Sequence, residues 1–133
     1  MPELVFFYGT LMTPFNRTGR LRLDEHLEFQ GKGGMTAALF DLGIYPAAVP
    51  ASDGVVRGEV YAMSHPALVL RVLDELEGYR PGEAESSLYV RMLTRVTMDS
   101  GEVVEAWVYF YNAPLGRAER IESGDYLEYL RPR

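Results

Sequence analysis

The sequence has one segment with a clear helical period of apolar residues, and that segment ends at a glycine. Between Val69 and Leu76, apolar side chains recur three and four residues apart, which places them on one face of a helix. Ser64 is the predicted N-cap, Pro66 suits the first turn, and Gly78 is expected to close the helix as a left-handed C-cap. The rest of the chain mostly favours strands, so the fold is predicted to pack one main helix against β-structure.

Three acidic residues lie near the end of this helix, and they face different directions. Asp74 and Glu75 are expected to point away from the apolar stripe, whereas Glu77 follows Leu73 by four residues and lies on the flank of the stripe. Partial burial and the C-terminal end of the helix dipole are expected to raise the pKa of Glu77, which suits it to carrying protons. A purely structural residue on a polar rim would occupy the same position, and that alternative stays open at this point.

Five segments are predicted strands because they alternate in polarity or are rich in β-branched and aromatic residues. They are residues 4–8, 29–42, 55–63, 88–98 and 103–111. The last two flank an Asp-Ser-Gly-Glu hairpin turn, and glycines are expected to bend the long second segment as in a barrel. We therefore predict an α+β fold, a small mixed and mostly antiparallel β-barrel with one main helix, in a single domain over residues 1–133.

The segments between these elements are predicted to be short. Residues 47–50 are expected to form a short edge segment, residues 52–54 a turn, and residues 80–87 a loop. The chain end near Tyr126 is predicted to form a short helix or loop. Trp107 is expected to lie in a core of stacked cross-strand aromatic side chains.

Charge and composition exclude several classes of function. The net charge is −6 and the 13 Lys and Arg residues are scattered, which argues against nucleic-acid partners and anionic membranes. The chain has no cysteine, and its two histidines are far apart in sequence, so no metal site, thiolate nucleophile or catalytic triad is predicted. Neither a signal peptide nor an apolar span is evident, and a cytoplasmic protein is therefore expected. Carboxylates, tyrosines, hydroxyls and backbone amides remain for chemistry.

A turn follows the first predicted strand and is a candidate binding site. It consists of Tyr8, Gly9, Thr10 and Leu11. A glycine at a strand end lets the backbone turn sharply or approach a ligand closely. Successive amides pointing outward from such a turn would form a nest for an anion or a carbonyl oxygen. A plain strand-to-helix turn is the structural alternative.

These stretches together resemble the γ-glutamylcyclotransferase-like superfamily, in particular its AIG2-like and γ-glutamylamine cyclotransferase branch. The turn at Tyr8 resembles the YGSL/YGTL turn of that family, and Glu77 with Gly78 resembles its LDxxEGY helix end. Further matching stretches follow in the family's order: FDLGIYP at 40–46, GEVY at 58–61, YVR at 89–91, AWVY at 106–109 and SGDY at 123–126. The resemblance covers essentially the whole chain.

The resemblance implies an enzyme that needs no cofactor and no metal. In the family, the α-amine of a γ-glutamyl substrate attacks its own γ-amide carbonyl, which releases an amine and 5-oxoproline. The resemblance assigns Glu77 as the catalytic proton shuttle. It assigns substrate binding to Tyr8, Gly9, Thr10 and Leu11, and to Tyr89.

The only partner implied is a small γ-glutamyl amine or γ-glutamyl amino acid. The loop at residues 80–88 matches no motif of the family, and its Glu83 and Glu85 leave the substrate open. A non-catalytic small-molecule-binding module on the same fold is the alternative function.

Overall fold

The structure is a computed structural model that describes residues 3–9, 12, 22–43 and 45–131. The strands in these ranges are β1 (Glu3–Phe7), β2 (Leu27–Asp41), β3 (Pro46–Met63), β4 (Tyr89–Met98), β5 (Val103–Tyr111) and β6 (Glu119–Arg120). The helices are α1 (Pro66–Glu77) and α2 (Tyr126–Leu130), with short 3₁₀ turns at Asp24–His26 and Pro81–Ser86.

Five of the strands close into a barrel. Their order is β3-β1-β5-β4-β2, and β2 pairs with β3 to complete the circle, while β6 extends the end of β2. Every pairing is antiparallel except that of β1 with β5, where Val5 lies opposite Trp107 in parallel register. This confirms the predicted fold class, a small mixed and mostly antiparallel barrel with one main helix.

The strand β3 corrects two of the predictions. Residues 47–50, 52–54 and 55–63 do not form an edge segment, a turn and a strand, because all of them belong to one strand. The turn-forming residues cause a bulge in it: Ala37 pairs with Pro50 and its neighbour Thr36 pairs with Val55, so residues 51–54 have no partner on β2. Arg120 binds the carboxylate of Asp53 in this bulge, at 3.0 and 3.1 Å. Turn residues therefore mark the bend of a long barrel strand here.

Helix α1 begins one residue later than predicted and ends where predicted. His65, not Ser64, is the N-cap, and it makes no side-chain capping bond; Pro66 occupies the first turn. Gly78 is the C-cap, and its φ of 67° is left-handed. The buried face consists of Val69, Leu70 and Leu73, and each such side chain stabilises the fold by about 1.5–3 kcal/mol. This packing holds α1 against the core.

Candidate active site

A cavity of about 210 Å³ lies where the end of β1, the turn before β3 and the C-terminal end of α1 meet the β4–β5 hairpin. Such a volume suits a small ligand, since sites for drug-sized molecules are typically about 300–1,000 Å³. Its lining is mostly aromatic or aliphatic: Phe6, Phe7, Tyr8, Gly9, Tyr45, Pro46, Leu76, Glu77, Leu88, Tyr89 and Tyr109. Of the residues that sequence reasoning selected, the cavity brings together Glu77, Tyr8, Gly9 and Tyr89.

Glu77 is the last residue of α1 and faces the cavity, on the flank of the apolar stripe as predicted. Among the described lining residues it is the one with a formal charge. Its negative charge contributes to raising the pKa of the hydroxyls of Tyr8, Tyr89 and Tyr109, so it acts on three sides of the cavity. The helix places one carboxylate in a small cavity whose walls are mostly aromatic or aliphatic side chains.

Tyr8 and Gly9 lie at the end of β1, and the structure gives them different roles. The hydroxyl of Tyr8 is buried, donates to the backbone oxygen of Tyr109 and accepts from the N–H of Ala48 at 3.4 Å. Burial is the main cause that raises the pKa of Tyr8. Position 9 has no room for a side chain and requires glycine, since a Cβ there would lie 2.9 Å from Cγ of Pro46. The other two residues of the predicted turn, Thr10 and Leu11, lie outside the described residues.

Tyr89 forms another wall of the cavity. Its hydroxyl donates to the backbone oxygen of Pro46 at 3.1 Å, and its ring contacts those of Tyr45 and Tyr111 at centroid distances of 6.2 and 5.3 Å. Burial, followed by the nearby Tyr8 hydroxyl and Glu77, raises the pKa of Tyr89. The rings of these tyrosines therefore shape the cavity, while their hydroxyls hold its parts together.

The loop at 80–88 is anchored beside the cavity by its polar groups. The hydroxyl of Ser87 is buried and accepts from the N–H of Arg80 at 2.8 Å, and the Asn112 amide donates to the Ser87 carbonyl at 3.1 Å. The N–H of Leu88 donates to the carbonyl of Gly78 at 3.1 Å. Leu88 thereby lies against the end of α1 and forms part of the cavity mouth, where it is 41% exposed.

Asp74 was expected to point away from the apolar stripe, but the structure does not leave it facing solvent. Its carboxylate is 13% exposed, binds Nε and Nη2 of Arg91 at 3.0 and 3.3 Å, and accepts from the hydroxyl of Tyr109 at 2.6 Å. The prediction for Trp107 is met only in part: the residue packs against the core but is partly buried, and its ring centroid lies 4.8 Å from the guanidinium carbon of Arg91. Sequence reasoning considered only the apolar stripe of α1, and β4 with β5 covers a wider part of the helix.

Several lining residues were missed, although the sequence contains signals for some of them. Tyr45 and Pro46 belong to the quoted FDLGIYP stretch, and Tyr109 alternates with Trp107 along β5. Leu76 belongs to the apolar stripe of α1 and was expected in the core. Phe6 and Phe7 lie in the predicted strand at 4–8 and are buried, and the cavity opens beside them.

The carboxylate of Glu77 gives the site a group that can transfer protons. A carboxylate within reach of a ligand can accept a proton and return it to another atom. Within the described ranges, no group of three or more histidine, aspartate or glutamate side chains could hold a metal ion. Among the same residues, no helix has the length and apolar character needed to cross a membrane.

Comparison with known proteins, in sequence and in fold, agrees with the family resemblance of the sequence motifs. The family model for "Gamma-glutamyl cyclotransferase, AIG2-like" matches residues 5–128. The γ-glutamylcyclotransferase family protein YtfP of Escherichia coli K12 is 38% identical over 90 residues, which are 68% of this chain and 67% of YtfP.

Two solved structures share the fold. The solution structure of Escherichia coli ytfP has a TM-score of 0.65 at 30% identity and covers 96% of this chain and 99% of that one. YkqA from Bacillus subtilis has a TM-score of 0.70 at 26% identity and covers 97% of this chain, but this chain spans only 41% of YkqA. On the family match and these relatives, the chain belongs to the AIG2-like γ-glutamyl cyclotransferase family.

Proposed function

We propose that the chain is a γ-glutamyl cyclotransferase that converts a γ-glutamyl amine or γ-glutamyl amino acid to 5-oxoproline and releases the amine. The observation that carries this proposal is the position of Glu77, the charged residue in a small aromatic cavity at the end of α1. Membership of the family supports the reaction class. The individual roles given below belong to the proposal.

The substrate brings its own nucleophile, so the protein has to supply position and proton transfer. The α-amine nitrogen forms a bond to the γ-carbonyl carbon, and the bond from that carbon to the leaving nitrogen breaks. The α-ammonium nitrogen loses two protons as it becomes the N–H of the lactam. Glu77 takes the first before the attack and gives it to the leaving nitrogen. It then takes the second from the ring nitrogen, and this proton ends on the released amine as its ammonium ion, so that no proton is gained or lost overall. General acid–base catalysis of this kind typically contributes about 10²–10⁴-fold in rate.

The shape of the cavity supports this role by restricting the substrate. A cavity of about 210 Å³ favours a curled γ-glutamyl chain over an extended one. The leaving group would extend past Leu88, the most exposed hydrophobic residue of the lining. In the proposal, Tyr89 packs against the substrate, and the backbone amides at Gly9, Thr10 and Leu11 bind its oxygen atoms near the end of β1.

The helix end suits a group that must be protonated in one step and ionised in another. The C-terminal end of a helix disfavours negative charge, so it makes proton uptake by Glu77 easier. The aromatic and aliphatic side chains of the lining act in the same direction where they replace water around the carboxylate.

The experiment is a panel of γ-glutamyl amines and γ-glutamyl amino acids, with 5-oxoproline and the free amine measured for each. We expect at least one substrate to be converted, and Glu77→Gln to lower kcat by about 10²–10⁴-fold with an unchanged melting temperature. Glu75→Gln is the matched control, since Glu75 lies on the same last turn of the helix but is exposed. It is expected to keep wild-type activity.

Two results would contradict parts of the proposal separately. Full activity of Glu77→Gln would remove Glu77 from the mechanism but leave the reaction in place. If the wild-type chain converts no member of the panel, the enzymatic function is wrong. A rise in melting temperature with one of these compounds, without turnover, would then identify the chain as a non-catalytic binding module.

A further inference from the structure

The Asp74–Arg91 ion pair lies directly behind the cavity. Asp74 and Arg91 are 13% and 17% exposed, and the guanidinium binds the carboxylate through two nitrogens. Arg91 also lies over the rings of Tyr79 and Trp107, at 5.6 and 4.8 Å from their centroids. The pair is therefore held on both sides by side chains and is a fixed part of the structure.

Tyr109 connects this pair to the cavity. Its ring lines the cavity, its hydroxyl donates to Asp74 at 2.6 Å, and its backbone oxygen accepts from the hydroxyl of Tyr8. The charges of Asp74, Arg91 and Glu77 all act on the Tyr109 hydroxyl. A continuous set of contacts therefore runs from the end of β1 through Tyr109 to the end of α1.

Asp74 and Glu77 are also neighbours on α1. They are three residues apart, which places their side chains next to each other along the helix surface. Two adjacent carboxylates disfavour each other's ionisation unless a cation neutralises one of them. Arg91 is placed to do this. A buried ion pair adds little stability compared with an apolar pair of the same size. A contribution to the stability of the fold therefore does not by itself account for the Asp74–Arg91 pair.

We infer that Asp74 and Arg91 are positioning residues for Glu77. Their ion pair fixes the last turn of α1 against β4 and β5, and it cancels the charge of Asp74 so that this charge does not control proton binding at Glu77. The inference rests on the proposed function for its catalytic meaning. Its physical content, the coupling between the ion pair and the titration of Glu77, does not depend on turnover.

The other groups that face Glu77 do not replace this effect. Among the described residues, they include the hydroxyls of Tyr8 on the β1 side, Tyr89 on β4 and Tyr109 on β5. Burial raises the pKa of all three, so they stay neutral at ordinary pH. Arg71, Glu75 and Arg80 also lie near Asp74 and Arg91, but they are exposed, so solvent screens their charges.

The two single variants are expected to shift the titration of Glu77 in opposite directions. Arg91→Gln leaves the Asp74 carboxylate without its cation, and Glu77 then holds its proton to a higher pH. Asp74→Asn leaves the Arg91 cation without its anion, and Glu77 then loses its proton at a lower pH. The double variant Asp74→Asn/Arg91→Gln removes both charges and is expected to return the titration towards that of the wild type.

The measurement is a pH titration of ¹³C-labelled glutamate carboxyl groups by NMR, with the Glu77 signal identified by its absence in Glu77→Gln. For active protein, the acid limb of the kcat/KM profile is expected to move with the same signs. Arg91→Lys, which keeps the charge but loses the two-nitrogen contact, is expected to melt earlier and to titrate like the wild type. Asp53→Asn is the control, because it breaks the ion pair with Arg120 in the β3 bulge. It should leave the Glu77 signal unchanged.

A purely structural role predicts a different result. In that case the single variants lose stability, and the Glu77 titration stays where it is or moves the same way in both, which would overturn the inference. If the wild-type chain converts no γ-glutamyl compound but the opposite shifts are seen, the proposed function fails and the coupling stands. If the chain converts a γ-glutamyl compound but the shifts are parallel or absent, the inference about Asp74 and Arg91 fails and the proposed function stands.

Discussion

Gly78 meets two requirements at one position, because it ends α1 and directly follows Glu77. Its φ of 67° is one that residues with a side chain rarely adopt, and a Cβ would lie 3.3 Å from Cβ of Leu88 at the cavity mouth. The glycine therefore sets the direction in which the chain leaves the helix, and with it the orientation of the last helical residue.

We expect Gly78→Ala to lower both stability and activity. The left-handed backbone costs about 1 kcal/mol with alanine, and the contact with Leu88 adds to this. Gly116→Ala is the matched control, since Gly116 has a φ of 60° and nothing within 4 Å of its Cβ position. Denaturant unfolding should show a loss of about 1 kcal/mol for the control. Only Gly78→Ala should lower kcat. Equal kcat values in the two variants would show that the C-cap at Gly78 does not affect catalysis.

Asp74 shows what a single helical stripe can and cannot predict. The period of α1 correctly placed Glu77 at the cavity, because a residue on the flank of the buried stripe lies at the edge of the core. The same reasoning left Asp74 exposed, because it could not include the width of the sheet that packs on the helix. Arg91 and Tyr109 reach Asp74 from strands that are distant in sequence, and no local pattern encodes that contact.

At the level of elements, α2 fastens the end of β2. Asp125 caps α2 by accepting from the N–H of Glu128 at 3.1 Å, and the hydroxyl of Tyr129 donates to the carboxylate of Asp41 at 2.6 Å. Asp41 also accepts from the N–H of Gly43 at 2.7 Å. These contacts hold the segment between β2 and β3. Tyr45 in this segment and Pro46 at the start of β3 line the cavity.

This contact makes stability depend on pH in the acid range. The hydrogen bond from Tyr129, and then that from Gly43, hold the pKa of Asp41 below its ordinary value. A lowered pKa means that the contact stabilises the fold above the pKa of the unfolded chain, about 3.9, and that this stability is lost as the pH falls through the folded value. We expect Tyr129→Phe to reduce this dependence, so that wild type and variant converge in melting temperature as the pH decreases. If the melting temperatures of wild type and Tyr129→Phe instead differ by the same amount from neutral pH to strong acid, this expectation is contradicted.

The strands differ in how far the sequence predicts them. The hairpin β4–β5 is found almost within the predicted bounds, because two alternating segments flank a short glycine turn. The strand β3 was divided into three parts, because Ser52, Asp53 and Gly54 have the composition of a turn. Whether such residues reverse the chain or form a bulge depends on the neighbouring strand, in this case β2 with its register shift after Thr36.

At the level of the whole molecule, β1 occupies a central place in the barrel. It pairs with β3 on one side and with β5 on the other, so that Phe6 lies opposite Val60 and Val5 opposite Trp107. These partners are far from β1 in sequence. The resemblance to a known family predicted the architecture, but the pairing of β1 cannot be obtained from periodicity, since it depends on how the barrel closes.

We expect this topology to fold slowly for a chain of its size. Pairings between distant segments require the closure of long loops before they stabilise the fold, and domains of this kind fold in about milliseconds to seconds. Stopped-flow refolding followed by far-ultraviolet circular dichroism should therefore show a time course in that range. Complete refolding within microseconds, as in small helical bundles, would contradict the expectation.

The position of the single tryptophan has an optical consequence. Trp107 is partly buried, and the Arg91 guanidinium that binds Asp74 lies over its indole ring. Its emission therefore comes from one known place, beside the ion pair at the end of the main helix. The intrinsic fluorescence of the unlabelled chain is a reporter of whether that ion pair is intact.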